Sequence, residues 1–226
     1  MSQKPTKSEA LIKRLHALPV AILSDSAEAI GLPEAVLRGV SRMRGTRVAG
    51  YARTVARELA PSNATQADYG AALGMGTQAV IDSCGPLEIM VIAVRGNRDY
   101  AVWGDNMATR ASSLGVRAIV TDGAVRDIDE MDSLGMAVFA GGTTPRQAFR
   151  RLVTTAINEP VVVGGVRIHP WDIIVADGDG VIAVSASKAE ALARHAEDLH
   201  GIENTMQDYI RAGHSLVSAV DKFKAR

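Results

Sequence analysis

Apolar residues recur at helical spacing near both ends of the chain. Over residues 8–18 they return every three or four positions, which predicts an amphipathic helix. Pro19 suits the first turn of a second helix, which we expect to stop near Gly31. Toward the other end, Ser187-Lys188-Ala189-Glu190 has the form of a capping box and predicts the start of a long helix that runs to about Ala212.

Short apolar runs between these helices predict buried strands. Such runs occupy residues 89–94, 116–120 and 136–140. Around Gly50, alternating and β-branched residues predict strands over residues 47–58. Two further pairs of apolar segments flank short turns that contain glycine, and they predict hairpins over residues 161–168 and 173–184.

A helical pattern separates the first two buried strands. It covers residues 105–114, and Gly115 is placed to end it. A turn that carries Arg126 and Asp127 leads into a short helix ending near Gly135. Strands that alternate with helices are typical of an α/β or layered α+β core. Since no linker or repeat interrupts the pattern, we expect one domain over residues 1–226.

The composition excludes several classes of function. The 226 residues contain 25 Lys and Arg against 25 Asp and Glu, so a broad electrostatic attraction to nucleic acid or to anionic membranes is not expected. Cys84 is the single cysteine, which excludes an intrachain disulfide and a cysteine-based zinc site. Without a signal core or a long apolar span, the chain is expected to be soluble and cytoplasmic.

Asp105 opens the central helical pattern and is the first candidate for chemistry. Backbone N–H groups in the first turn of a helix are free to bind an anion, and the helix dipole favours negative charge there. The amides of Asn106 and Met107 are therefore candidates to bind a substrate carboxylate. The alternative is that Asp105 only caps the helix, as aspartate often does at this position.

Arg126 and Asp127 form a second candidate. The carboxylates of Asp105 and Asp127 suit a hard cation such as Mg²⁺ or Mn²⁺, while the guanidinium of Arg126 is suited to bind a carboxylate or an oxyanion in a bidentate manner. In the alternative interpretation Asp127 caps the next helix together with Glu130, and Arg126 lies on the surface.

Glu203 is the third candidate, because it shares a face of the long helix with an apolar stripe. A carboxylate on an apolar face is unfavourable unless it is paired or used. It either pairs with an arginine at a contact between subunits or reaches the site, where a raised pKa would suit acid–base work.

Four other features have simpler explanations. The sequence Asp177-Gly178-Asp179-Gly180 predicts a tight turn rather than a calcium loop. The five histidines lack zinc-ligand spacing, and Cys84 is expected to be a buried thiol. The glycines over residues 70–76 match neither a dinucleotide nor a phosphate-loop motif.

The spacing of Asp105, twenty further positions and then Arg126-Asp127 resembles the signature of the class II pyruvate aldolases of the RraA-like family. The resemblance covers residues 20 to 212, about 85% of the chain. The segments that carry it are Leu23-Ser24-Asp25-Ser26-Ala27, residues 48–55, residues 121–127, Pro170-Trp171-Asp172, residues 177–181 and the final helix with its glutamate.

This resemblance implies a fold, an assembly and a set of roles. The fold is a layered αββαβ sandwich of the swivelling β/β/α kind, assembled as a homotrimer or a hexamer. A divalent cation would be ligated by Asp127, with Asp105 acting on a water at the metal. Arg126 would stabilise the pyruvate enolate, and the segment of Gly104, Asn106 and Met107 would hold the pyruvate carboxylate. Glu203 matches a helix glutamate that the family brings from a neighbouring subunit.

The implied activity is metal-dependent retro-aldol cleavage of a 4-hydroxy-2-oxo di- or tricarboxylic acid, with oxaloacetate decarboxylation as a side activity. The sequence departs from the family pattern at residues 85–89 and at Asn106, where the family often has leucine. A non-catalytic regulator that binds a ribonuclease is the alternative within the same family. A methyltransferase is disfavoured, since no glycine-rich cofactor loop is present.

Overall fold

The computed structural model of the protein describes residues 6–32, 35–63, 65 and 76–223. It begins with two helices, α1 (Glu9–Ala17) and α2 (Val20–Ala29), close to their predicted bounds. The Ser8 side chain accepts a hydrogen bond from the Leu11 amide and so caps α1. The Val20 amide at the start of α2 donates to the Asp177 carboxylate at 3.0 Å, which ties this helix to a distant hairpin turn.

A large mixed sheet forms the centre of the molecule. The strands are β1 (Ser41–Arg44), β2 (Val48–Leu59), β3 (Glu88–Ala93), β4 (Ala118–Thr121), β5 (Ala124–Val125), β6 (Ala137–Ala140), β7 (Gly142–Thr143), β8 (Leu152–Ile157), β9 (Val161–Val163), β10 (Val166–Ile168), β11 (Ile173–Ala176) and β12 (Val181–Val184). Within the described residues, eight of them form one sheet in the order β1-β6-β4-β3-β2-β11-β12, with β8 also paired to β2. Strands β2, β3, β4 and β6 run parallel.

The remaining helices lie around this sheet. They are α3 (Thr77–Asp82), α4 (Asp105–Ser113), a 3-10 helix (Glu130–Leu134), α5 (Ala186–Arg211) and α6 (Leu216–Lys222). Gly115 follows α4 with a φ of 80° and Gly135 follows the 3-10 helix with a φ of 62°, so both end their helices in the left-handed conformation as predicted. No helix of the described ranges is long and apolar enough to cross a membrane.

The parallel strands are buried on both faces, which explains their continuous apolar sequences. On one face, Met90 and Ile92 of β3 pack in a core with α3 and α4. On the other face, Ile89 and Val91 pack toward the hairpin β9–β10. A third core lies between α1, α2, α5 and the strands β11 and β12. The predicted α/β fold class is therefore confirmed.

Two local predictions are corrected. The capping box predicted at Ser187 is wrong, because α5 already begins at Ala186 with Ser185 as its N-cap and no capping hydrogen bond from that side chain. The strands predicted on either side of Gly50 are one continuous strand, β2. Gly50 lies inside it because a side chain there would approach the Leu87 carbonyl to 2.7 Å, so glycine allows β2 and the segment before β3 to approach.

Candidate active site

Two distant segments run side by side and bring the predicted site residues together. The Val102 amide donates to the Ala124 carbonyl at 2.9 Å, and the Arg126 amide donates to the Trp103 carbonyl at 3.0 Å. The fully buried Trp103 side chain anchors this contact in the core. Asp105, which follows directly at the start of α4, thereby lies beside Arg126.

Gly104 makes this close approach possible. A Cβ atom at this position would lie 2.6 Å from the Asp127 Oδ2 atom, closer than real Cβ contacts allow, and 3.1 Å from the Arg126 Nε atom. Gly104 is the N-cap residue of α4, so Asp105 is the first helical residue rather than the cap. The interpretation of Asp105 as a simple N-cap is therefore wrong.

Asp127 holds its carboxylate against the start of α4. Its Oδ2 atom accepts a hydrogen bond from the Asp105 amide at 3.1 Å and forms an ion pair with the Arg126 Nε atom at 3.2 Å. The residue adopts a φ of 57°, a conformation that aspartate tolerates better than most side chains. The 3-10 helix that follows has Asp129 as its N-cap, so the alternative in which Asp127 caps it together with Glu130 is wrong.

The backbone amides of Asn106 and Met107, in the first turn of α4, differ in whether they are free to bind an anion. The Asn106 amide donates to the Asp105 Oδ1 atom at 2.7 Å. Among the described residues, the Met107 amide has no hydrogen-bond partner, as expected for a helix start. The predicted anion site therefore offers one free amide, and a second only when the Asp105 carboxylate turns away.

A cavity of about 200 Å³ adjoins these groups. Gly104, Asp105, Asn106, Met107 and Arg126 all line it, together with an apolar floor. The floor residues that also belong to the core are Val102, Trp103, Ala148 and Leu152. A small, mostly apolar cavity with a few convergent polar groups is the form expected of a ligand site.

Arginines dominate the charge of the cavity and of its surroundings. Arg57 and Arg150 line the cavity in addition to Arg126. Residues 145–151, here called the arginine loop, contribute Arg146 and Arg151 to an adjoining open depression. These groups make the site suitable for an anionic ligand.

The acidic groups fit a divalent cation of the kind that keeps most of its water. Asp105 and Asp127 are adjacent through the bond between the Asp105 amide and Asp127 Oδ2. Within the described ranges, no cluster of three or more His, Cys, Asp or Glu side chains is suited to a metal ion. Mg²⁺ is commonly held by one or two carboxylates, waters and the substrate itself, so Asp105 and Asp127 are the residues that could supply its protein ligands.

Glu203 is placed apart from these residues. It lies half-buried on α5 and does not line the cavity within a single chain. Its predicted role, which depends on a neighbouring subunit, remains a prediction.

Sequence reasoning missed Arg57 and Arg150. Arg57 has no local signal in the sequence, because β2 carries a second arginine, Arg53, four residues earlier. Arg150 belongs to a run of three arginines over residues 146–151, which is dense for a chain without net charge.

Asp177 and Cys84, for which the sequence predicts no chemistry, have structural roles. Asp177 accepts hydrogen bonds from Val20 and from Asp179 within the β11–β12 turn, which confirms the turn. Cys84 is buried, and burial raises the pKa of its thiol to about 12. Such a thiol stays protonated and is a poor nucleophile. Of the glycine-rich residues 70–76, all but Gly76 lie outside the described residues.

The fold and cavity define a class of mixed α/β proteins with a carboxylate pair and an arginine at a helix start. The chain belongs to the RraA-like family, since the family model described as Aldolase/RraA matches residues 20–183. The resemblance noted from the motifs is thus confirmed at the level of the family.

Individual relatives agree with this membership. A Halalkalibacterium halodurans protein named "Putative 4-hydroxy-4-methyl-2-oxoglutarate aldolase" is 29% identical over 186 residues, covering 82% of this chain and 81% of that protein. Protein DlpA of Legionella pneumophila is 26% identical over 94% of this chain, which spans 34% of DlpA.

Solved structures show the same fold. An uncharacterized protein from Pseudomonas syringae pv. tomato matches with a TM-score of 0.84 at 26% identity, over 98% of this chain and all of that chain. Streptomyces coelicolor RraAS2, described as an unusual member of the RNase ES inhibitor RraA protein family, matches with a TM-score of 0.80 at 27% identity, over 90% and 98% of the two chains. The family therefore includes proteins named as aldolases and proteins named as ribonuclease inhibitors.

Proposed function

We propose that the protein cleaves a 4-hydroxy-2-oxo di- or tricarboxylic acid to pyruvate and a second oxo acid, in a retro-aldol reaction that depends on Mg²⁺ or Mn²⁺. Oxaloacetate decarboxylation is expected as a side activity. The observation that carries the proposal is that Asp105 and Arg126 line one cavity while the Asp127 carboxylate contacts both of them, although twenty residues separate Asp105 from the Arg126-Asp127 pair in sequence.

Binding is assigned to the start of α4 and to Arg126. The free Met107 amide and the positive end of the helix dipole suit the carboxylate of the 2-oxo acid. The Asp105 and Asp127 carboxylates would hold the cation, which when bound supplies positive charge to the 2-oxo acid group. Arg126 lines the cavity beside them and suits the keto oxygen.

Bond cleavage requires one proton to leave and charge to be stabilised. Asp105, acting through a water that relays the proton to its carboxylate, would take the proton of the C4 hydroxyl, so that C4 becomes a carbonyl as the C3–C4 bond breaks. The electron pair passes to the C2 oxygen, where the Arg126 guanidinium stabilises the enolate. A proton delivered to C3 then yields pyruvate. Glu203 of a neighbouring copy is our proposed partner for the water.

Pyruvate release tests this proposal directly. We expect release from 4-hydroxy-4-methyl-2-oxoglutarate, and more slowly from oxaloacetate, with Mg²⁺ present and its loss after chelation. Arg126→Ala should reduce kcat by about 10³-fold because it removes the charge that stabilises the enolate. Arg167→Gln, at an exposed position on β10, is the matched control for loss of one positive charge. Normal turnover in Arg126→Ala would contradict the assignment.

A second function is favoured by the likeness to RraAS2, whose description names an RNase ES inhibitor family. Under this alternative the protein binds a ribonuclease of that type and restrains it. Inhibition of RNase ES by the wild-type protein, and equally by Arg126→Ala, would support the regulator over the aldolase. Absence of binding together with pyruvate release would exclude it.

A further inference from the structure

Arg57 enters the cavity from the sheet rather than from the helix side. It lies on β2 where this strand pairs with β8, opposite Thr154. The register of the two strands shifts between Ala56 and Arg57, as at a β-bulge. Bulges commonly redirect a side chain beside an active site. The cavity wall at this point is formed by Arg57, Leu152 and Thr154.

Arg57 is half-buried, and its guanidinium has no acidic partner among the described residues. Its Nη2 atom donates to the Leu152 carbonyl at 3.2 Å, whereas its buried Nε atom has no hydrogen-bond partner. No carboxylate of the described residues forms an ion pair with it. Burial alone lowers the pKa of Arg57 to about 10, so the side chain still carries its charge at neutral pH.

A buried charge without a counter-ion is unfavourable, and proteins usually pair such a group or use it in binding. The cavity beside Arg57 is small, about 200 Å³, compared with the ~300–1,000 Å³ of drug-sized sites. It also contains Arg126 and the start of α4, which belong to different elements of the fold. One small ligand with an anionic group at each end satisfies both arginines.

We infer that Arg57 binds the second carboxylate of a dicarboxylic 2-oxo acid whose oxo-acid end lies at Arg126. Arg57 is then the residue that selects dicarboxylic over monocarboxylic substrates. This inference rests on the proposed function and extends it, since it names a determinant of the substrate class. The Leu152 carbonyl accepts a hydrogen bond from the Arg57 Nη2 atom but, being uncharged, does not neutralise the guanidinium.

Two stable acids test the inference without turnover. 2-Oxoglutarate and 2-oxopentanoate share the oxo-acid group and the chain length, and differ in the second carboxylate. We expect titration calorimetry with Mg²⁺ to show that wild-type protein prefers 2-oxoglutarate by about 10–100-fold, the range of a charged hydrogen-bonded pair. Arg57→Gln should abolish this preference and leave the affinity for 2-oxopentanoate within about 2-fold. Arg57→Lys should restore part of it.

The control is Arg167→Gln, which removes an exposed charge outside the cavity and should keep the wild-type preference. Equal affinity of the wild type for both acids, or an equal loss of both in Arg57→Gln, would overturn the role of Arg57 while leaving the aldolase proposal intact. Failure of both acids to bind the wild type would overturn the aldolase proposal as well. Unchanged cooperative unfolding of each variant confirms that the comparison concerns binding and not folding.

Discussion

Arg53 and Arg57 lie four residues apart on β2, yet the surroundings of the buried Arg53 and the half-buried Arg57 differ. The Arg53 Nη1 atom forms an ion pair with Glu88 at 2.8 Å, its Nη2 atom donates to the Ser83 hydroxyl at 2.7 Å, and its Nε atom donates to Asn158 at 3.1 Å. Arg57 has a single carbonyl partner and an open cavity. The charge of Arg53 is neutralised within the protein and stabilises the fold, whereas the charge of Arg57 remains available to bind a ligand.

The Arg53 network also explains a departure from the family pattern. Glu88 lies in the segment 85–89 where this sequence differs, and it is fully buried. In addition to Arg53 it forms an ion pair with Lys7 at 2.5 Å. The unusual segment therefore supplies a counter-ion at the start of β3, and it contributes no residue to the lining of the cavity.

The largest expected effect is on stability when Arg53 is removed. Arg53→Met removes the ion pair that Arg53 makes with the fully buried Glu88 carboxylate, and we expect a loss of about 3–5 kcal/mol in the free energy of unfolding. Arg57→Met removes a charge that has no acidic partner among the described residues and only one carbonyl acceptor, so it should leave stability unchanged or increase it by about 1 kcal/mol. Urea denaturation of both variants measures the difference. Similar losses in the two variants would show that Arg57 is also structural.

An effect of intermediate size on the stability of the protein is expected when the pH is lowered. Burial tends to raise the pKa of Glu88, but the hydrogen bond from Lys7 and the charge of Arg53 outweigh it and hold this pKa below its ordinary value of 4.5. A depressed pKa gives stability that is complete above about pH 5 and is lost as the pH falls through the folded-state pKa.

Thermal unfolding between pH 7 and pH 3 checks this expectation, with Glu88→Gln as the matched variant. The wild type should lose stability below about pH 4.5, the unfolded-state pKa, whereas the variant should be less stable at pH 7 and depend less steeply on acid. Parallel curves for the two proteins would mean that other carboxylates govern the acid transition.

The smallest effect is expected at an exposed arginine of the same region. Arg95 pairs with Glu58 of β2 at 2.6 Å, but its side chain is 81% exposed. Arg95→Gln should therefore change the free energy of unfolding by less than about 0.5 kcal/mol. A loss comparable to that of Arg53→Met in urea denaturation would contradict the view that burial, and not pairing alone, determines how much these ion pairs contribute to the free energy of unfolding.

Much of the fold followed from apolar periodicity, because buried strands such as β3 and β4 leave continuous apolar runs. Strand β8 was missed because its residues, Leu152–Ile157, are mostly half-buried and lack clear alternation. The approach of Asp105 to Arg126 was anticipated from motif spacing, but the orientation of the Asp127 carboxylate toward α4 was not.

Arg57 escaped prediction for a physical reason. Its entry into the cavity depends on the register shift between β2 and β8, which pairs residues about a hundred positions apart. Whether an arginine has an acidic partner is likewise decided by tertiary contacts, so nothing local in the sequence separates Arg57 from Arg53.

The arginine loop has a kinetic consequence for a chain whose net charge is zero. Its arginines line the open depression that adjoins the cavity, so an approaching dianion is attracted locally although the molecule has no net charge. Dissolved salt screens such exposed charges over about 8 Å at physiological ionic strength. The association rate of the ligand should therefore fall as salt is added. The strength of the contact between Arg57 and a bound carboxylate should change much less.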